Sequence, residues 1–292
     1  MKETHKQVNY LLPSVTIDMG GFPVKQPMPT QKIQQVDPFL LLHHARTKYS
    51  DRRPARAQGV GPHPHRGFSP VTFVIEGEVH HRDSWENNQI AKQGEVQWVH
   101  AGAGIVHSER PSEALVARSG HQEIVQLWIN SPASSKMKPP EYYYVSNSNM
   151  RTFTSEDKKI TNKLIAGNYG SYKGNIIPQS DLLVMWSEGE EDGSQKLTIP
   201  KGFNSMLYLI KGDIYIKGYG LVEKEHLAVF DQEEGIVEVT FKEKGQFLLM
   251  CGKPINEKVT QSGPYVMNTQ TEVLEAMRDY QMGKMGILIE ED

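Results

Sequence analysis

Four residues of this chain have the types and spacing to hold a metal ion. His63 and His65 stand two apart in "GPHPHRGF", residues 61 to 68, and His107 and Glu109 stand two apart in "GIVHSE", residues 104 to 109. In an extended strand, side chains at i and i+2 point to the same face. Each pair therefore presents both donors to one side, and two neighbouring strands would bring three imidazoles and one carboxylate to a common point. Such a set suits Fe(II), Mn(II), Ni(II) or Cu(II), with positions left open for exogenous ligands. Zn(II) accepts the same donors, so the residues alone do not choose the ion. Any one of these histidines, taken singly, reads more simply as a hydrogen-bonded structural residue; the joint pattern carries the metal reading.

The elements that must position these residues are strands. "PVTFVIEGEVHHRDS" is rich in β-branched and aromatic residues and runs into "WENNQ", a hairpin turn. "GEVQWVHAGAGIVHSERP" and "HQEIVQLWINSP" follow as short runs punctuated by Gly or Pro. Strands at this spacing predict an all-β chain of antiparallel sandwich or barrel type. A second strand-rich stretch covers about 177 to 252. Near the end, "MNTQTEVLEAMRDYQMG" predicts an amphipathic helix with a Thr269–Glu272 capping box, an apolar stripe of Val273, Leu274, Met277 and Tyr280, and Gly283 beyond its C-terminus. "EYYYV" supplies three tyrosines expected to pack rather than to bind ligand.

Composition narrows the function classes. A net charge of −3 over 292 residues gives no general attraction to nucleic acid or to an anionic membrane, so neither is expected as a direct partner. Cys251 is the sole cysteine, which excludes an intrachain disulfide and a cysteine-based zinc site and suits a reducing compartment. The first twenty residues lack an apolar signal core and no apolar run reaches spanning length, so a cytoplasmic location is expected. Nine of the eleven histidines lie between His43 and His121, which assigns the chemistry to the first half.

An internal repeat sharpens that asymmetry. "FSPVTFVIEGEV", 68 to 79, matches "FNSMLYLIKGDI", 203 to 214, without a gap, and "GIVHSE" matches "GIVEVT", 235 to 240. On this alignment His63 and His65 fall on Thr198 and Pro200, and His107 and Glu109 fall on Glu238 and Thr240. The scaffold residues persist while all four donors are replaced, as expected for one functional and one structural copy.

The run "GPHPHRGF…VTFVIEGEVHHRDS…GEVQWVHAGAGIVHSE", with "VQLWINSP", "MKPP", "GPYVMNT" and "DYQMG", resembles the pirin family of the cupin superfamily. The resemblance covers most of the chain, more weakly across 150 to 255. It implies a bicupin of two antiparallel β-barrel (jelly-roll) domains with a C-terminal helix. Residues 1–140 would form the metal-binding barrel with an N-terminal arm. Residues 141–292 would form a metal-free barrel plus the helix. The family's metal ligands match His63, His65, His107 and Glu109, with Fe(II) the expected ion and Mn, Ni, Cu or Zn as alternatives. The implied activity is that of quercetin 2,3-dioxygenases, which open flavonols with O2. Glu109 would then be the catalytic base, and a flavonol-like aromatic and O2 the small-molecule partners. The alternative is a metal-dependent module that binds a regulatory protein partner, a transcription factor or metabolic enzyme, without turnover. Two positions depart from the family pattern: Ser69 where glutamate is usual, beside the site wall, and His100 where a small polar residue is usual. His81 is expected to face the interior beside the metal ligands, and Arg66 to make a surface ion pair.

Overall fold

The computed structural model describes residues 4–290. The chain is mainly β, with one long helix at the C-terminus. It forms two compact units. One comprises residues 17–24, 41–148 and 256–292; the other comprises 1–16, 25–40 and 149–255. The chain's two ends are therefore distributed differently from the expected 1–140 and 141–292 division: residues 1–16 group with the later strands, and the C-terminal helix with the earlier ones. No described helix is long and apolar enough to cross a membrane.

Each unit is a jelly-roll-like sandwich of two sheets, not a closed barrel. In the histidine-bearing unit the smaller sheet runs in the order Val60–His65, Ile105–Arg110, Glu78–Asp83, Asn88–Lys92. The larger begins Glu141–Val145, Val96–His100, Phe68–Glu76, His121–Asn130, Phe39–Lys48. The second unit repeats this order strand for strand. Its smaller sheet is Ser194–Thr198, Ile236–Phe241, Ile214–Ile216, Gly220–Val222. Its larger sheet begins Val8–Pro13, His226–Phe230, Asn204–Lys211, Gly245–Gly252, Leu182–Gly189. Val8–Pro13, from the start of the chain, thus takes the edge place that Glu141–Val145 takes in the first unit.

Pairing registers define the repeat residue by residue. Thr72 pairs with Gln97 and Gln126, and Leu207 pairs with Ala228 and Leu249, so the gap-free match of those strands holds. The alignment of the four donors does not. His63 pairs with His107, and the equivalent pair is Leu197 with Val237. Leu197, Ile199, Val237 and Val239 lie in the apolar core of the second unit, whereas Glu238 sits on the outer face, 2.9 Å from His5. The aligned Thr198, Pro200, Glu238 and Thr240 are each one residue out of phase. A one-residue slip flips every side chain to the other face.

The C-terminal helix spans Gln270–Gln281 with the expected Thr269–Glu272 capping box. Val273 and Ala276 are its buried positions, and Ala276 packs with Val106, Tyr265 and Met285. Leu274, expected in the stripe, is 57% exposed. The helix is held to the site by Arg66, which is 4% exposed and not at the surface as expected. Its Nη1 lies 3.1 Å from Asp279, and its Nε donates to the Ala103 carbonyl.

The turn after His65 is equally fixed. Gly67 has φ +85°, and a Cβ there would lie 2.1 Å from the Val266 carbonyl, so only glycine fits. The buried Lys136 ammonium donates to the carbonyls of Gly67 and Val266 and to Asn130 Oδ1, so all three of its protons are used.

Candidate metal centre

The strand carrying His63 and His65 has prolines at 62 and 64, which cannot donate to a ladder. It lies at the edge of its sheet, the position that tolerates them. Against it, His107 faces His63 while Glu109 faces Val60, so the register slips by one residue around Gly61 and Pro62. Such a bulge re-aims side chains, and here it sits between the two donor pairs.

The three imidazoles converge. His63, His65 and His107 can each offer a ring nitrogen such that all lie within 4.8 Å of one another. Among the described residues they are the one such group of metal-binding side chains. Ring centroids are 4.4 to 4.8 Å apart. His63 Nδ1 lies 2.8 Å from the Gly61 carbonyl, to which it must donate, leaving Nε2 bare and 3.1 Å from His65 Nε2. His107 Nε2 is buried and has no hydrogen-bond partner. Burial, and then the neighbouring His63 ring, push both His65 and His107 well below the ordinary imidazole range. Three converging ring nitrogens, among them the buried and unpartnered Nε2 of His107, form a donor set that a divalent ion fits.

Glu109 stands apart from this group. Its Oε1 accepts from Thr72 Oγ1 at 2.9 Å, and the Gln126 amide donates to Oε1 and Oε2 at 3.1 and 2.9 Å. Gln126 Oε1 in turn accepts from Trp128 Nε1 at 3.0 Å. Trp128 and Phe68 pack on each other at 4.3 Å, and both rings lie beside His65, forming an aromatic wall.

His81 is buried and faces the site as expected, with His107 Nδ1 at 3.3 Å. Ser69 and His100 do not border it. Phe68 contacts His65, so its neighbour Ser69 points to the opposite face of the sheet. There Ser69 Oγ lies 2.8 Å from His100 Nδ1, and Trp98 Nε1 donates to the same nitrogen. The two departures from the family pattern are thus one contact, buried behind the site. Tyr142 stacks on His81 and so borders the site, although the three tyrosines were expected only to pack.

Thr72, Gln126 and Asp83 escape a motif search because none belongs to a recognised spacing. A signal existed: "PVTFVIE" and "EIVQLWI" each carry a single polar residue within an apolar strand.

The pirin family profile matches residues 21–129, and that of the pirin C-terminal cupin domain matches residues 185–286. The chain belongs to the pirin family. Human pirin is 30% identical over 271 residues, covering 91% of this chain and 89% of the relative. A Pseudomonas aeruginosa protein provisionally named as a quercetin 2,3-dioxygenase is 34% identical over 267 residues, covering 90% and 92%. A crystal structure of quercetin 2,3-dioxygenase from Acinetobacter baumannii superposes with a TM-score of 0.90 at 32% identity, covering 98% of this chain and 100% of that one. A pirin of two cupin domains with a histidine triad in one of them is therefore the frame for its function.

Proposed function

We propose that this pirin is a metal-dependent dioxygenase that opens flavonols such as quercetin at one mononuclear centre, with Fe(II) as its ion. The observation that carries the reading is the convergence of His63, His65 and His107 beside the Phe68–Trp128 wall. Its likeness to the Acinetobacter structure supports the reaction class. His63, His65 and His107 would hold the ion through ring nitrogens, with Glu109 as the fourth donor. When bound, the ion supplies Lewis acidity and a template for a flavonol oxygen and O2.

The chain's own residues do the rest. Trp128 and Phe68 offer flat apolar surface to a planar ring system. Glu109 accepts the flavonol hydroxyl proton on a carboxylate oxygen, and the bonds from Thr72 and Gln126 keep that carboxylate from wandering. Gln126 is itself anchored by donating to Glu109 and accepting from Trp128, so base and aromatic wall are built as one piece.

The test is anaerobic loading with quantified Fe, Mn, Ni or Cu, followed by quercetin loss and carbon monoxide release in O2. Both are expected. Absence of both in every fully loaded form would favour a metal-dependent protein-binding role. Glu109→Gln at full metal occupancy is expected to lower turnover about 100- to 10,000-fold while flavonol binding changes little. A smaller fall would remove Glu109 from the role of base.

A further inference from the structure

A chain of buried polar groups leads away from the three imidazoles, and the reaction described above does not use it. His107 Nδ1 lies 3.3 Å from His81 Nδ1, and His81 Nε2 lies 2.8 Å from Asp83 Oδ2. His107 and His81 are each 1% exposed and Asp83 is 4% exposed. Asp83 is surrounded by donors: Oδ1 accepts the backbone N–H of Trp85 and of Asn87, and Oδ2 also accepts from Asn87 Nδ2. Tyr142 stacks on His81 at 4.4 Å and 16°, fixing the ring plane.

The direction of each proton follows. A carboxylate only accepts, so the neutral tautomer of His81 that fits this contact has its proton on Nε2 and a bare Nδ1. The nitrogen facing that bare Nδ1, His107 Nδ1, must then be the donor. The lone pair of His107 is left on Nε2, the buried atom with no partner in the protein. His63 reaches the same tautomer by the shorter route of donating Nδ1–H to Gly61. In the second unit the place of His81 opposite the Glu109 equivalent is taken by Ile216, paired with Val239, and no such chain can form.

We propose that Asp83 and His81 are positioning residues that hold His107 as its Nδ1–H tautomer, so that the Nε2 lone pair faces the bound ion. The ion belongs to the reading above and the inference rests on it, whereas the tautomer belongs to the protein and is present without metal. Partners that orient a ligand in this way are worth about 10- to 100-fold in metal affinity.

The experiment measures Zn(II) affinity, by competition with a chromophoric chelator, for wild type, His81→Leu and His81→Gln. Circular dichroism of each metal-free form checks folding. His81→Leu removes the acceptor and is expected to weaken Zn(II) binding about 10- to 100-fold. His81→Gln can still accept from His107 and donate to Asp83, so it should recover affinity to within a few-fold of wild type. Imidazole 15N shifts of the metal-free wild type should show protons on His107 Nδ1 and His81 Nε2. Wild-type affinity in a folded His81→Leu, or a proton on His107 Nε2, overturns the inference. Failure of the wild type to bind Zn(II) would instead defeat the metal reading, and the 15N measurement would still decide the tautomer.

Discussion

The two units share one strand order and differ in what they turn inward. Where the first has His63, His65, His107 and Glu109, the second has Leu197, Ile199, Val237 and Val239. Where the first has Thr72, Gln97 and Gln126, the second has Leu207, Ala228 and Leu249. The backbone is therefore not what makes a centre. An apolar interior needs no partners, whereas each buried polar group in the first unit needs a hydrogen bond or an ion to offset its desolvation. The bonds of Glu109, His81 and Asp83 offset that cost in the first unit.

The largest test of that contrast is loss of a ligand. Four-ligand structural zinc sites bind with about 10–16 kcal/mol, or about 2.5–4 kcal/mol per ligand, which is roughly 60- to 700-fold in Kd. His107→Ala should weaken metal binding by that order, and isothermal titration reads it. Glu238→Ala, on the outer face of the second unit, should leave one equivalent per chain and an unchanged Kd. Two equivalents bound by the wild type, or a loss in Glu238→Ala, would break the comparison.

A smaller effect tests the apolar side. Leu249→Gln puts into the second unit the residue that works at position 126, without Thr72, Glu109 or Trp128 to satisfy it. Lost apolar burial together with an unpartnered amide should cost about 2–4 kcal/mol, measured as a fall in the denaturant midpoint. No measurable change would mean that the second core is loose enough to admit water.

The convergence of His63, His65 and His107 was legible from their spacing, whereas Glu109, two residues beyond His107, stands apart from the three. The sequence also carried the β class, the helix with its cap, and the existence of a second copy. It did not carry the copy's phase. The turn from Ile199 to Phe203 is one residue longer than that from His65 to Phe68, so a match seeded at Phe68 arrives at His63 and His65 one residue out. Nor did it reveal the burial of Arg66, whose partner Asp279 is more than two hundred residues away. Ser69 was misplaced for a related reason. Alternation tells which residues share a face, but only Phe68 against His65 tells which face is the site. The grouping of Val8–Pro13 with strands more than two hundred residues later leaves no local signal, since the pairing with His226–Phe230 is long-range.

The last test is the acid response of the metal-free protein, and it should divide the two units. An unfolded histidine takes up its proton near pH 6.5, whereas in the folded first unit burial pushes His43 down to about 4 and holds His65 and His107 well below their ordinary value. Above pH 6.5 these rings are neutral in both states and contribute nothing to the pH dependence. Below it the unfolded chain binds protons that the folded one refuses, so stability falls as pH falls, and for His43 the loss ends near pH 4. Each such ring contributes a slope of up to about 1.4 kcal/mol per pH unit. Leu197, Ile199, Val237 and Val239 cannot titrate, and the carboxylates of both units respond at lower pH. Amide hydrogen exchange between pH 7 and pH 5 should therefore show protection falling in Val60–His65 and Ile105–Arg110 before Ser194–Thr198 and Ile236–Phe241. His107→Leu should flatten the acid slope by one ring's share while leaving the exchange of the second unit unchanged. Simultaneous loss of protection in both pairs of strands would mean that acid acts on the fold as a whole, and that the polar interior is not what makes the first unit sensitive.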